Sequence, residues 1–184
     1  MARPVLILGP LSEALINKLC AESPDRYSRC KPEIVKASLV SLETGQGNSA
    51  YLDFKARSDG QFECISVHSV REVMDNNFHC MLTIRPEALE LLHKHNIYPI
   101  TLFIKHKNAR QIREVQDPRF LPEKMKNKSA KELFELHQDL EQKHKRLFSD
   151  VIPGDSLAYM FHHVKKAIDR EQKKAVYVPS SLPL

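Results

Sequence analysis

Gly9 follows the apolar run Pro4 to Leu8 and leads, through Pro10 and Leu11, into a stretch with helical spacing that reaches Cys20. Strand, glycine turn and helix in that order are the frame of a phosphate-binding loop. Its chemistry needs the pattern G-x-x-x-x-G-K-[ST]: small residues that expose backbone N–H groups, a lysine for the β- and γ-phosphates and a hydroxyl for magnesium. Counted from Gly9, those last three groups should fall at positions occupied here by Ala14, Leu15 and Ile16. None of them can neutralise phosphate or ligate a metal. ATP binding of the usual kind is therefore not expected, and Leu15 and Ile16 should face a core.

Other reactive residue types are present without the spacing that makes a site. His79 with Cys80, His93 with His95, and His162 with His163 lack H-x-x-x-H spacing on a helix and lie beside no C-x-x-C pair, so no metal or cofactor is expected. No G-x-S-x-G elbow supports hydrolysis. Tyr27, Arg29, Lys31 and Lys36, with Tyr51, Lys55 and Arg57, can form a concave basic surface bearing phenolic hydroxyls, the chemistry that captures a phosphorylated side chain. The competing reading is a solvated lobe. The run Lys143 to Arg146 reads as an outer helix face rather than a nucleic-acid groove, because few aromatics interleave with the basic residues.

The elements that must position these residues point to an α/β domain. "PVLIL" (4–8), "CMLTI" (80–84) and "YPITLFI" (98–104) have strand character, and "PEALELLHKH" (86–95) between the last two is helical with proline at a tolerated first-turn position. Strand, helix, strand implies a right-handed crossover and a parallel sheet. Capping boxes are expected at Ser69 with Glu72 and at Ser129 with Glu132, and Asp155 is expected to cap a further helix. In the helix after Ser129, Leu133, Leu136, Leu140 and Leu147 are expected to share a core face. Residues 27–65 read as an inserted lobe, with weak helical character around "EIVKASLVSLE" and then the strands "AYLDFKA" and "FECIS" around an Asp59-Gly60 turn. "AVYVP" (175–179) reads as a last strand.

With 184 residues, the chain suits one core, and 28 basic residues interleaved with 23 acidic ones give a net charge of +5 that suggests a solvated surface more than an anionic partner. Cys20, Cys30, Cys64 and Cys80 show no regular spacing, and no apolar run is long enough to span a bilayer. Reduced thiols in a cytoplasmic protein are expected.

Several phrases together resemble the guanylate-kinase-like domain of membrane-associated guanylate kinase scaffolds: "RPVLILGP", "SVREVMDNNFHCMLTI", "NIYPITLFIKHKNARQIREVQDPRFL" and "FSDVIPGDSLAYMFHHVKKAI". The third looks most like the discs-large subgroup. The resemblance covers residues 3–178, with 179–184 as a tail, and implies a P-loop-type parallel sheet flanked by helices with a shortened GMP-binding lobe. Against the active enzymes of that family, the P-loop groups are lost at Ala14, Leu15 and Ile16. Glu63 stands where a phosphate-contacting tyrosine would be, and Thr83 where an acid on the guanine side would be. Only "YSRCKPEIVKAS" stands for the T-T-R-x-x-R segment.

The resemblance thus implies a pseudokinase serving as a protein-interaction module of a scaffold, cytoplasmic and peripheral to the plasma membrane at cell junctions. Two alternatives remain: phosphopeptide binding in the remnant GMP pocket, and a residual nucleotide-binding enzyme. It also implies that "AVYVP" completes an SH3 domain of a longer chain. An opening Met-Ala directly before the first core strand is read as the edge of a piece cut from such a chain, leaving Val176 to Val178 unpaired and inviting self-association.

Overall fold

The computed structural model describes residues 1–36, 51–115 and 128–176. In chain order the elements are β1 (Val5–Leu8), α1 (Ser12–Glu22), β2 (Tyr27–Ser28), β3 (Glu33–Lys36), β4 (Tyr51–Ala56), β5 (Gln61–Ser66), α2 (Val67–Asp75) and β6 (His79–Leu82). A 3-10 turn at Pro86–Ala88 then opens α3 (Leu89–Lys94), followed by β7 (Ile100–Lys105), α4 (Ala109–Val115), α5 (Ala130–His144), a 3-10 turn (Lys145–Leu147), β8 (Asp150–Pro153) and α6 (Leu157–Gln172).

β1 is apolar at every position because both faces of its sheet are covered. Val5 and Ile7 point to one face, against Leu15, Ile16 and Leu19 of α1 and Met160, Val164 and Ile168 of α6. Leu6 and Leu8 point to the other, against Val70 and Met74 of α2 and Leu89 and Leu92 of α3. This is the period-2 alternation of a strand combined with the continuous apolar run of a buried parallel sheet. The strand order is β2-β6-β1-β7-β8, all parallel, with Val5 opposite both Met81 and Ile100. The crossover from β6 through α3 to β7 therefore passes over β1, and the fold is α/β as expected.

A second, antiparallel sheet, ordered β3-β5-β4, forms the small lobe. Its β4–β5 hairpin turns at Asp59-Gly60, where Gly60 takes φ +78° and Arg57 N–H donates to Gln61 O at 2.8 Å. A positive φ at that position favours glycine.

Several local expectations are corrected. Residues 33–36 form a strand rather than a helical turn, because Glu33–Lys36 pair with Gln61–Cys64 on the exposed hairpin; the rest of that stretch, 37–43, lies outside the described residues. The first of the two caps lies three residues earlier than the S-x-x-E pattern suggests: Ser66 accepts from Ser69 N–H at 3.0 Å, and Ser69 is inside α2. Ser156, not Asp155, caps α6, accepting from Tyr159 N–H at 3.2 Å while Asp155 holds the Ser156 N–H. Ser129 does cap α5, accepting from Glu132 N–H. Of the four leucines assigned to one α5 face, Leu133 is buried and Leu140 packs partly on the core, but Leu136 and Leu147 are exposed. β8 is an additional strand, and of "AVYVP" only Ala175 and Val176 are among the described residues, in no strand.

Candidate functional site

α1 begins at Ser12, only three residues past Gly9 and without a side-chain cap, Glu13 supplying negative charge in its first turn. Gly9 sits at φ +153°, and a Cβ there would come within 3.0 Å of Ile104 Cβ on β7. The glycine is thus required by the close approach of loop to sheet. Ala14, Leu15 and Ile16 fall inside α1, at 4%, 0% and 0% exposure. Full burial of Leu15 and Ile16 contributes roughly 2 kcal/mol each by transfer alone.

Beyond the C-terminal ends of β1 and β6, where α/β sheets bind their ligands, a cleft of about 690 Å³ opens between core and lobe. Its apolar walls include Leu8, Phe54, Ile65, Ile84 and Leu140. Its charged residues are Arg29, Lys55 and Arg85 against Glu13, Asp53 and Glu63, three of each sign. Two of these oppositely charged couples form ion pairs. Arg29 Nη2 donates to Glu13 Oε2 at 2.8 Å and to Asn17 Oδ1 at 2.9 Å. Arg85 Nε lies 4.0 Å from Asp53 Oδ1, and Lys55 stands opposite Glu63 in the β4–β5 ladder. His137, buried on α5, donates Nδ1–H to Leu133 O at 2.7 Å, and burial pushes its pKa down, keeping it neutral. The cleft is therefore apolar and close to electroneutral.

Of the candidate phosphate-binding residues, the structure brings Arg29 and Lys55 to this cleft. Arg57 is at the hairpin tip, 3.4 Å from Asp59 Oδ2. Tyr51 is half-buried and donates to Glu33 Oε2 at 3.4 Å, while Lys31 and Lys36 are exposed and line no part of the cleft. Tyr27 lies in the core, 1% exposed and stacked on His79 at 5.6 Å between ring centroids. Thr83 and Glu63 both line the cleft. Glu13, Asp53 and Arg85 were not legible as cleft residues: their roles come from neighbours distant in the chain, and only Glu13 carried a signal, as an acid in a first helical turn.

A smaller cavity of about 370 Å³ lies between the ends of β7 and β8 and the helices α4 and α5. His106 lines it, pushed down to a pKa of about 4 by burial and by neighbouring His137. Among the described residues no group of three or more His, Cys, Asp and Glu could hold a metal, and no helix is long and apolar enough to cross a membrane.

The guanylate kinase family model matches residues 41–171. Human Disks large homolog 5 is 40% identical over 178 residues, covering 97% of this chain and 9% of that protein. The Disks large 1 tumor suppressor protein of Drosophila melanogaster is 28% identical over 193 residues, 97% of this chain and 19% of that protein. The chain thus spans about a tenth to a fifth of the length of these relatives. Among solved structures, the SH3-kinase fragment of tight junction protein 3 superposes with a TM-score of 0.66 at 22% identity, covering 96% of this chain and 60% of that one. Guanylate kinase from Anaplasma phagocytophilum superposes with a TM-score of 0.56 at 13% identity, covering 95% and 88%. The chain belongs to the guanylate kinase family, as a guanylate-kinase-like domain of the membrane-associated guanylate kinase type.

Proposed function

We propose that this domain is catalytically inactive and serves as a protein-interaction module, with the cleft between lobe and core as its docking site. The observation that carries the reading is the burial of Ala14, Leu15 and Ile16 inside α1, where a kinase of this fold needs a phosphate-bound lysine and a magnesium-bound hydroxyl. Phosphoryl transfer is almost wholly positioning and charge stabilisation, so a loop without those groups has no means to accelerate it. The cleft's apolar walls and balanced charges suit an uncharged or mixed peptide surface better than a nucleotide.

In this reading the domain works inside a cytoplasmic scaffold at cell junctions, beside an SH3 domain of the same longer chain; similarity to Disks large homolog 5 and to an SH3-kinase fragment supports it. Self-association through the segment at 175–179 belongs to the same reading, and a chain that stays monomeric at high concentration would remove it. Calorimetric titration with GMP, together with thermal shift in GMP and in ATP with magnesium, tests the central claim. No heat and no shift are expected, since a ligand that binds only the folded state must stabilise it. Saturable micromolar binding would overturn the claim and return a nucleotide-binding enzyme to consideration.

Capture of a phosphorylated peptide is the second reading, favoured by Arg29 and Lys55 facing one cleft. It requires a phosphate to displace Glu13 from Arg29. Reversing Arg29 and Lys55 to Glu abolishes binding if that reading holds and leaves affinity unchanged if it does not.

A further inference from the structure

Two of the four cysteines meet at the root of the small lobe. The β2–β6 ladder sets Ser28 beside Cys80, and the chain runs two residues further to Cys30, just beyond the end of β2. Cys30 and Cys80 belong to the same apolar cluster on one face of the sheet, near enough for each thiol to shift the other's titration. Cys80 is wholly buried; Cys30 is 8% exposed and lines the cleft, so a small solute reaches it from there. The other two thiols are placed differently. Cys20, on α1, packs against the cluster on the opposite face, and Cys64 is buried within β5.

We propose that Cys30 and Cys80 are a redox-modification site, a dithiol that hydrogen peroxide closes to a disulfide between the lobe's root and the central sheet. Cys30 is the attacking sulfur. The neighbouring Cys80 thiol, helped by the Arg29 guanidinium, holds the Cys30 thiol below its ordinary range despite burial, while the nearness of Cys30 and desolvation push Cys80 up. The Cys30 thiolate attacks one oxygen of the peroxide, breaking the O–O bond, and becomes a sulfenic acid as hydroxide leaves. The Cys80 thiol then attacks the Cys30 sulfur, the S–O bond breaks, and water leaves with the Cys80 proton. Two thiols are oxidised and one peroxide is reduced to two waters.

The bond fixes the segment between β2 and β3, which carries Arg29 and Pro32 into the cleft wall. Closing it also requires the Cα atoms to approach within about 7 Å. Because Cys30 lies outside the β2–β6 ladder, its backbone can make that approach without breaking a sheet hydrogen bond. Its effect on docking rests on the reading of the cleft given above; the chemistry itself does not.

Peptide mapping of the whole chain after graded peroxide treatment and alkylation tests the site. The expected product is a Cys30–Cys80 linked peptide, formed at peroxide concentrations that leave Cys20 and Cys64 alkylatable and reversed by dithiothreitol. In Cys80→Ser, a Cys30 sulfenic acid should be trapped by dimedone, and Cys30→Ser should leave Cys80 unoxidised. A disulfide to Cys20 instead, or Cys30 still a free thiol after Cys20 and Cys64 have oxidised, would overturn the proposal. A failed search for docking partners would leave the disulfide standing, and an absent disulfide would leave the docking reading standing.

Discussion

Arg29 Nη2 lies 2.8 Å from Glu13 Oε2 across the cleft, so the guanidinium best placed to meet a phosphate is already held by a carboxylate from the first turn of α1. Glu13→Gln should release it. The expected result is an affinity for inorganic phosphate or a phosphopeptide higher by about tenfold, near the 1.4 kcal/mol of one charge-assisted hydrogen bond. Stability should change by less than about 0.5 kcal/mol, because both side chains are partly solvated. Calorimetry on the two chains side by side reads this; equal affinities would show that Glu13 is not what keeps phosphate out.

Gly9→Ala should destabilise the fold by about 1–3 kcal/mol, since the new Cβ meets Ile104 Cβ at 3.0 Å on a backbone at φ +153°. Urea unfolding measures it. A neutral effect would mean that the loop relaxes away from β7 and that glycine is kept there for another reason.

Ser66 Oγ accepts from Ser69 N–H and donates to Glu33 Oε1 at 2.8 Å, tying the cap of α2 to β3 of the lobe. Ser66→Ala should cost about 1–2 kcal/mol, as loss of an N-cap plus a hydrogen bond to a charged group. Ser69→Ala should cost clearly less, since its hydroxyl caps nothing and its contact to Glu33 is longer, at 3.3 Å. Chemical denaturation of both variants ranks them; the reverse order would restore Ser69 as the cap.

That pair of serines shows what the chain made legible and what it did not. The central strands could be read because β1 and β7 are apolar runs of strand length bounded by proline or glycine, and the β4–β5 hairpin because Asp59-Gly60 demands a particular turn. Ser69-x-x-Glu72 matches a capping pattern, yet Ser66 wins because β5 ends there and its hydroxyl finds Glu33 from across the lobe. β8 is four residues long with a proline, too short to carry a period. The cleft was half legible: Arg29 and Lys55 announced themselves by charge, while Asp53 and Arg85 meet only through the fold. Tyr27 offered a hydroxyl in sequence but fills the core, since β2 is laid directly against β6.

Acid should weaken the fold through His106. Burial lowers its pKa from 6.5 to about 4, so the folded state favours the neutral ring. The contribution is fully present above about pH 6.5 and is lost as the pH falls toward about 4, because the unfolded chain takes up the proton first. His79, His93 and His137 are lowered in the same sense, burial being the leading cause. The urea midpoint should therefore drop between pH 7 and pH 5, and His106→Gln, whatever its absolute stability, should show a shallower drop. Equal slopes would exclude His106 as a contributor.

The five-stranded sheet ends, among the described residues, in β2 with two residues on one side and β8 with four on the other, the last of them Pro153, which has no N–H to offer. Neither margin provides a ladder on which a foreign strand could lengthen the sheet by more than a few hydrogen bonds. If the cleft is the docking site proposed above, recognition at this sheet falls to side chains of the cleft rather than to its edge strands. Strand-to-strand contact, which reads little sequence, is closed off at the core.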